Sequence, residues 1–398
     1  MINPEIKYGL EVKFGTSYGD EEVAAVIKCL EDNAPSCGKK VKEFEDAFAA
    51  YCGVDYALTS TSATTALFLA GIAAGVKPGD EVITTPLSWI ATASAFSTLG
   101  AKVVFCDINP RTFNLDPDLL EACITRKTKA IVPVHVYGQC CEMDRILEIA
   151  GRHGIVVIDD CAHNPGGEYL GRKSGSLADM SVFSFHQQKN MSTLGEGGMI
   201  TTGSREFYEK ILSFRSLCCR QYGGSSKYLP IDEQEHPMGR QYWRLFFDDI
   251  GYNFRMTDIQ AAVGLEQLKK LDAHNARRVE LSSRLTGRLE GIRGLTLPYV
   301  DPKGRHVFHL YVVQLEKDFP LGKDDFMWEM YEHKGIKVWN HYMPIHLTQP
   351  YLDQGHKAGE CPVVEAAFKK YVSLPMHPRL TDEAIDYMAA SVRELAGL

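Results

Sequence analysis

No stretch of this chain approaches the run of about 18 apolar residues that a membrane-spanning helix requires. Clusters of lysine or arginine are also missing, and the net charge is −8. Neither a nucleic acid nor an anionic membrane is therefore an expected partner. The first residues, MINPEIKYGLEVKFG, lack the basic-then-apolar order of a signal peptide, so a cytoplasmic protein is expected. No C-x-x-C pair occurs, and the closely spaced paired ligands of a zinc site are absent; no metal is expected. The eleven cysteines are an odd number scattered along the chain, which does not describe a disulfide framework. They read as small buried apolar residues in a reducing compartment.

What is present is the balance of an ordinary globular protein: 398 residues, 45% hydrophobic and 24% charged. That length suits two or three domain-sized units. From about residue 54 to 205 short apolar runs alternate with helix-forming ones. DYALTST precedes ATTALFLAGIAAG, DEVITTP precedes SWIATASAFSTLG, AKVVFCDI precedes DPDLLEACI, and KAIVPVHVYG precedes MDRILEIAGRHG. IVVIDD, MSVFSF and MITT follow. This rhythm predicts an α/β fold with a mostly parallel sheet covered on both faces. After Arg215 a long polar and aromatic stretch has neither period, as a functional loop would. A helix is then predicted from MTDIQ onward, with Thr257 and Gln260 as a capping box. The tail reads as a smaller α/β unit with HVFHLYVVQL as a strand. The division drawn is 1–270 and 271–398.

In parallel sheets ligands bind at the carboxyl ends of the strands. There the reading places Ser62, Ala63 and Thr64 at a helix start, then Trp89, Asp160, His163, Ser184 and Lys189. Singly each has a commoner explanation: an N-cap, a core aromatic, a turn aspartate, a solvated lysine. Together they offer an anion cradle, a flat ring, a carboxylate and an amine. Pyridoxal 5′-phosphate needs this set for its phosphate, its ring, its pyridinium nitrogen and its aldehyde.

These residues carry a resemblance to the DegT/DnrJ/StrS family of sugar aminotransferases, fold type I pyridoxal-phosphate enzymes. It spans nearly the whole chain, from VKEFEDAFAAYCG to SLPMHPRLTDEAI. The family pattern S-F-x-x-x-K-N followed by G-E-G-G stands as Ser184, Phe185, Lys189, Asn190 and Gly195–Gly198. The resemblance implies a seven-stranded, mostly parallel large domain and a smaller C-terminal one. It implies that Lys189 forms the internal aldimine and acts as the catalytic base, and that Asp160 holds the pyridine nitrogen. His163, in DDCAHNPGG, would lie near the phenolic oxygen. Ala63, Thr64 and Ser184 would hold the phosphate, and Trp89 would stack on the ring. Asn253, in GYNFRMTDIQAAVGLEQL, would reach the cofactor of a neighbouring subunit, giving a homodimer with shared sites.

Some residues depart from the pattern. Ala63 replaces a glycine, His163 a glutamine, and His186-Gln187-Gln188 a Tyr-Pro-Gly; the stretch after Arg215 is longer. The last two lie where substrate is expected, and His186 and Tyr342 are candidate substrate contacts. The implied reaction moves nitrogen from L-glutamate or L-glutamine to a ketone. The acceptor would be a nucleotide-linked keto-sugar or, second, a keto-cyclitol of aminocyclitol routes. Two rivals stand: a keto-deoxysugar dehydratase, in which histidine replaces the lysine, and a non-catalytic regulator that kept the fold.

Overall fold

The computed structural model describes residues 7, 16–32, 36–219, 245 and 247–398. Seven apolar runs form one sheet: β1 (Tyr56–Ser60), β2 (Glu81–Thr84), β3 (Lys102–Phe105), β4 (Thr128–Val132), β5 (Val156–Asp160), β6 (Met180–Ser184) and β7 (Gly198–Thr202). Their spatial order is β1-β7-β6-β5-β4-β2-β3. Only β7 runs antiparallel to its neighbours, β1 and β6; the remaining pairs are parallel. Helices Ala63–Ala73, Ala91–Thr98, Pro117–Cys123 and Met143–His153 follow β1 to β4 in turn, as the alternating runs predict.

Both faces of the sheet are covered, which is why its strands lack polar alternation. Ile158 and Val182 pack with Ala66, Leu67 and Phe96 on one side. On the other, Val157 packs with Ile131 and Ile146, and Phe183 with Phe44 and Phe48. Nine of the eleven cysteines are buried and all are unpaired. Among the described residues no helix is long and apolar enough to cross a membrane.

The capping box forms at Thr257, whose hydroxyl accepts from Gln260 N at 3.4 Å while its N–H reaches Gln260 Oε1 at 3.2 Å. The helix it starts, Asp258–Leu289, is 32 residues long. It runs through residue 270 without a break, so a division at 270 falls inside one element that serves both units. The C-terminal unit has a three-stranded antiparallel sheet of β8 (Leu295–Thr296), β9 (Tyr311–Leu315) and β10 (Tyr371–Leu374), with β9 central. Its own core includes Leu285, Val313, Phe326 and Met388. Val312 and Tyr371 pack instead with Leu87, Val134 and Val136, joining the two units.

Within HVFHLYVVQL only Tyr311–Leu315 is a strand. The preceding residues bond to a turn after β4: Val307 N donates to Gly138 O at 2.9 Å and Leu310 N to Tyr137 O at 3.2 Å. The long stretch after Arg215 lies largely outside the described residues, and with it Arg220, Lys227, Arg240 and Arg244, scattered charges that read first as a solvated loop face and only second as nucleotide contacts.

One close approach ties the sheet to the site. A Cβ on Gly198 would stand 2.8 Å from Ala63 N and closer still to the Ser62 carbonyl. We expect Gly198→Ala to force β7 away from the helix start, at about 1–3 kcal/mol. The thermal midpoint of the cofactor-free protein should fall and phosphate-ester affinity should weaken. An unchanged midpoint and affinity would show that the helix start yields without consequence.

Candidate active site

The helix after β1 begins at Ser62, whose hydroxyl accepts from Thr65 N at 3.2 Å. The N–H groups of Ala63 and Thr64 have no intrahelical acceptor at this end, and the helix dipole favours an anion there. Thr64 is exposed. Ser184, at the end of β6, pairs across the sheet with Gly198, which packs on the Ser62–Ala63 peptide. Its hydroxyl accepts from His186 N at 3.4 Å. Ala63, Thr64 and Ser184 thus come to one place from two strands.

At the end of β5 two aspartates alternate sides, as neighbours on a strand must. Asp160 is 4% exposed. Its Oδ2 accepts from Thr92 Oγ1 at 2.8 Å and its Oδ1 from Ala162 N at 3.0 Å. Burial raises its pKa; these two hydrogen bonds and nearby Lys189 pull the other way. Asp159 takes the Nε2–H of His135 at 3.1 Å, and His135 Nδ1 accepts from Cys141 N at 3.1 Å. Asp159 is thereby committed behind the sheet, leaving Asp160 for the crevice. His135, Asp159 and Cys161 cluster closely enough to hold an ion. The Cys141 N–H, however, puts the ring proton on Nε2, so that nitrogen is a donor to the carboxylate and not a free ligand.

Lys189 sits in a loop turned by its own N–H, which donates to His186 O at 2.8 Å. It is half-buried. Burial lowers its pKa to about 8, with Asp160 acting in the opposite direction. Trp89 leaves 61% of its surface open, unusual for an indole in a well-packed fold. It meets Tyr342 edge-on at 6.1 Å. Tyr342 in turn reaches His163 Nε2 with its hydroxyl at 3.2 Å. His163 is 2% exposed, and burial pushes its pKa well down. His186 is half-buried and 4.0 Å from Glu196.

Asn253 is exposed. Its backbone bridges to Ser216, and the next carbonyl, of Phe254, accepts from Thr61 N at 3.1 Å. It therefore lies beside the strand that leads into the anion cradle. The exposed apolar residues Phe247 and Ile250 stand a few positions before it.

Two groups, Thr92 and His309, escaped the sequence reading, and a third, Asn190, stood in the family pattern without a role. Thr92 holds Asp160, and its signal was a hydroxyl one helical turn beyond Trp89. Asn190 is wholly buried and donates to Asn275 Oδ1 at 2.9 Å and to Val307 O at 3.2 Å. His309 stacks on His163 with centroids 4.5 Å apart; it arrives from another unit, and no local pattern announces it.

The residues fit pyridoxal phosphate. The cradle offers donors to an anion, and the indole face is open. Asp160 is a buried carboxylate with no ion-pair partner among the described residues.

A model of the DegT/DnrJ/EryC1/StrS aminotransferase family matches residues 16–393. The GDP-perosamine synthase of Caulobacter vibrioides is 40% identical over 373 residues, 93% of this chain and 94% of that one. The spore coat polysaccharide biosynthesis protein SpsC of Bacillus subtilis is 39% identical over 381 residues, 95% of each chain. Helicobacter pylori PseC, an aminotransferase involved in the biosynthesis of pseudoaminic acid, superposes with a TM-score of 0.87 at 29% identity and 99% coverage of both chains. The mostly parallel sheet and its fold type I neighbours agree with this match. The chain belongs to the DegT/DnrJ/EryC1/StrS family, whose members are pyridoxal-phosphate-dependent sugar aminotransferases.

Proposed function

We propose that this enzyme moves the amino group of L-glutamate or L-glutamine to the ketone of a nucleotide-linked sugar, with Lys189 as the amine that binds the cofactor and as the base. The observation that carries this reading is the pairing of a buried carboxylate, Asp160, with a lysine of depressed pKa, Lys189, in one crevice. Two relatives favour a sugar acceptor, one a GDP-perosamine synthase and one a polysaccharide biosynthesis protein.

Bound pyridoxal phosphate supplies a carbonyl for the amine and a ring that accepts negative charge from the donor carbon. Ala63 and Thr64 N–H groups and the Ser184 hydroxyl would hold its phosphate. Trp89 would offer its open indole face to the ring and keep water from it. Asp160 keeps the proton on the ring nitrogen, since an ionised carboxylate in a dry site favours a cation. His163 would stand on the phenolic side. Lys189 would be the base that takes the proton from the donor α-carbon and gives it back from its Nζ. A pKa of about 8 suits a group that must both take and give a proton. At pH 8 about half of it is free base, where an ordinary lysine is almost wholly protonated. His186 and Tyr342 face the acceptor.

The deciding experiment is transfer of label from 15N-amino glutamate or glutamine to a panel of 3-keto and 4-keto nucleotide sugars and inososes. Label should enter a nucleotide sugar, and Lys189→Ala should abolish transfer. Label in inososes alone would move the reading to a keto-cyclitol. Transfer retained by Lys189→Ala would remove the lysine from its role.

We also propose a homodimer in which Asn253 serves the partner's site. Its exposure and the open apolar Phe247 and Ile250 support this. Mixing Lys189→Ala with Asn253→Ala chains, each inactive alone, should restore part of the activity, because one site of the mixed dimer then carries neither lesion. No recovery after verified subunit exchange would place Asn253 in its own chain's site.

A further inference from the structure

His163 is held from three directions. The N–H of Tyr137 donates to its Nδ1 at 3.4 Å, its Nε2 lies 3.2 Å from the Tyr342 hydroxyl, and His309 stacks on its ring at 4.5 Å with planes 26° apart. A backbone N–H is always a donor, so Nδ1 must be the bare nitrogen and Nε2 must carry the proton. The Nε2–H then donates to the Tyr342 oxygen. With that lone pair occupied, the hydroxyl hydrogen of Tyr342 is turned to another acceptor. From these contacts we infer that Tyr137, His163 and His309 commit the Tyr342 hydroxyl to donate into the crevice, making Tyr342 a catalytic donor to the acceptor ketone's oxygen and His309 a positioning residue.

The surroundings are built for this. Tyr137 has a left-handed backbone (φ 60°), as does Phe308 (φ 44°), and such conformations in bulky residues persist where neighbours impose them. The two turns are joined by the paired bonds between Val307–Leu310 and Tyr137–Gly138. A Cβ on Gly138 would lie 2.9 Å from His309 N, so the backbones touch. His309 Nδ1 lies 3.3 Å from Asn190 Oδ1, and Asn190 bonds Asn275, which bonds Pro165 O at 2.8 Å. The loop carrying His163 and the residue beside Lys189 are thus fixed by one buried network. Tyr342 is fixed from its other end, where Tyr371 donates to its carbonyl and Tyr137 Oη to that of His341.

Protonation of His163 would reverse the arrangement by making both nitrogens donors. The groups around it oppose that. Lys189 faces it from the lysine loop and His341 and His309 from the C-terminal unit, while Arg278 of the long helix faces His309. None is an anion; Asp160 is the nearby carboxylate and faces Tyr342. Burial also keeps the Tyr342 hydroxyl protonated. When an amine adds to a ketone, the carbonyl oxygen gathers charge, and it later leaves as water with the two protons that the amine nitrogen gives up. A donor fixed beside it stabilises that charge while the proton remains on Tyr342.

The role toward a sugar ketone rests on the proposed acceptor; the tautomer does not. The first test is therefore 15N NMR of histidine-labelled, cofactor-free protein, with His163 assigned by His163→Gln. His163 should show bare Nδ1 and Nε2–H from about pH 5.5 to 8. An Nδ1–H tautomer, or titration near the ordinary value, overturns the inference whatever the acceptor proves to be. In the active enzyme Tyr342→Phe should lower kcat about tenfold or more with KM nearly unchanged. His309→Ala should raise the His163 midpoint and bring an acid limb into the kcat profile that Tyr342→Phe lacks. Unchanged kcat in Tyr342→Phe, or a His309→Ala profile with no new limb, would overturn it. Should His309→Ala fail to fold, the wild-type spectrum and Tyr342→Phe carry the decision.

Discussion

Asp160 gives up nearly all of its hydration at the end of β5, and the crevice is arranged around that loss. Desolvating a carboxylate costs several kcal/mol even after relaxation. The Thr92 hydroxyl and the Ala162 N–H offset part of it. A cation set against the free face of the carboxylate would offset more, which is the position of a protonated ring nitrogen. The dryness that raises the aspartate's pKa also lowers that of Lys189 to about 8. One low-dielectric space thus prepares an acceptor for a cation and a neutral amine.

That arrangement depends on register. Neighbouring residues on a strand face opposite ways, so a slip of one position would exchange Asp160 for Asp159. Asp160 N donates to Pro133 O at 2.8 Å and His135 N to Asp160 O at 3.1 Å. The His135–Asp159 pair adds a side-chain lock on the far side. The C-terminal unit contributes the remaining wall. Arg278, buried in the long helix, donates to the carbonyls of Phe308 and Met376 at 3.0 and 2.8 Å. The helix therefore fixes the segment that carries His309 as well as linking the two units.

The large sheet was legible because its strands are short apolar runs separated by helical ones, a signal carried within a few residues of each position. Asp160, Ser184 and Lys189 were legible for the same reason: each ends or follows such a run. The direction of β7 was not readable, because MITT puts one apolar residue and one threonine on each face whichever way it runs. Nor was the start of β9, since Val307–Leu310 look like strand residues yet bond to a turn far earlier in the chain. Thr92, Asn190 and His309 act through partners distant in sequence, so their residue type alone says little. The capping box at Thr257 shows the opposite case, a contact three residues long that the sequence states outright.

The central claim is that Lys189, with its pKa drawn down by burial, is the amine that takes the cofactor. Borohydride reduction of the protein reconstituted with pyridoxal phosphate at a series of pH values, followed by peptide mapping by mass spectrometry, tests it most directly. The account predicts that the cofactor is fixed to the peptide carrying Lys189, and that its initial rate of capture rises with pH through a midpoint near 8. Capture at another lysine, or at Lys189 with the midpoint of an ordinary surface lysine, would contradict it.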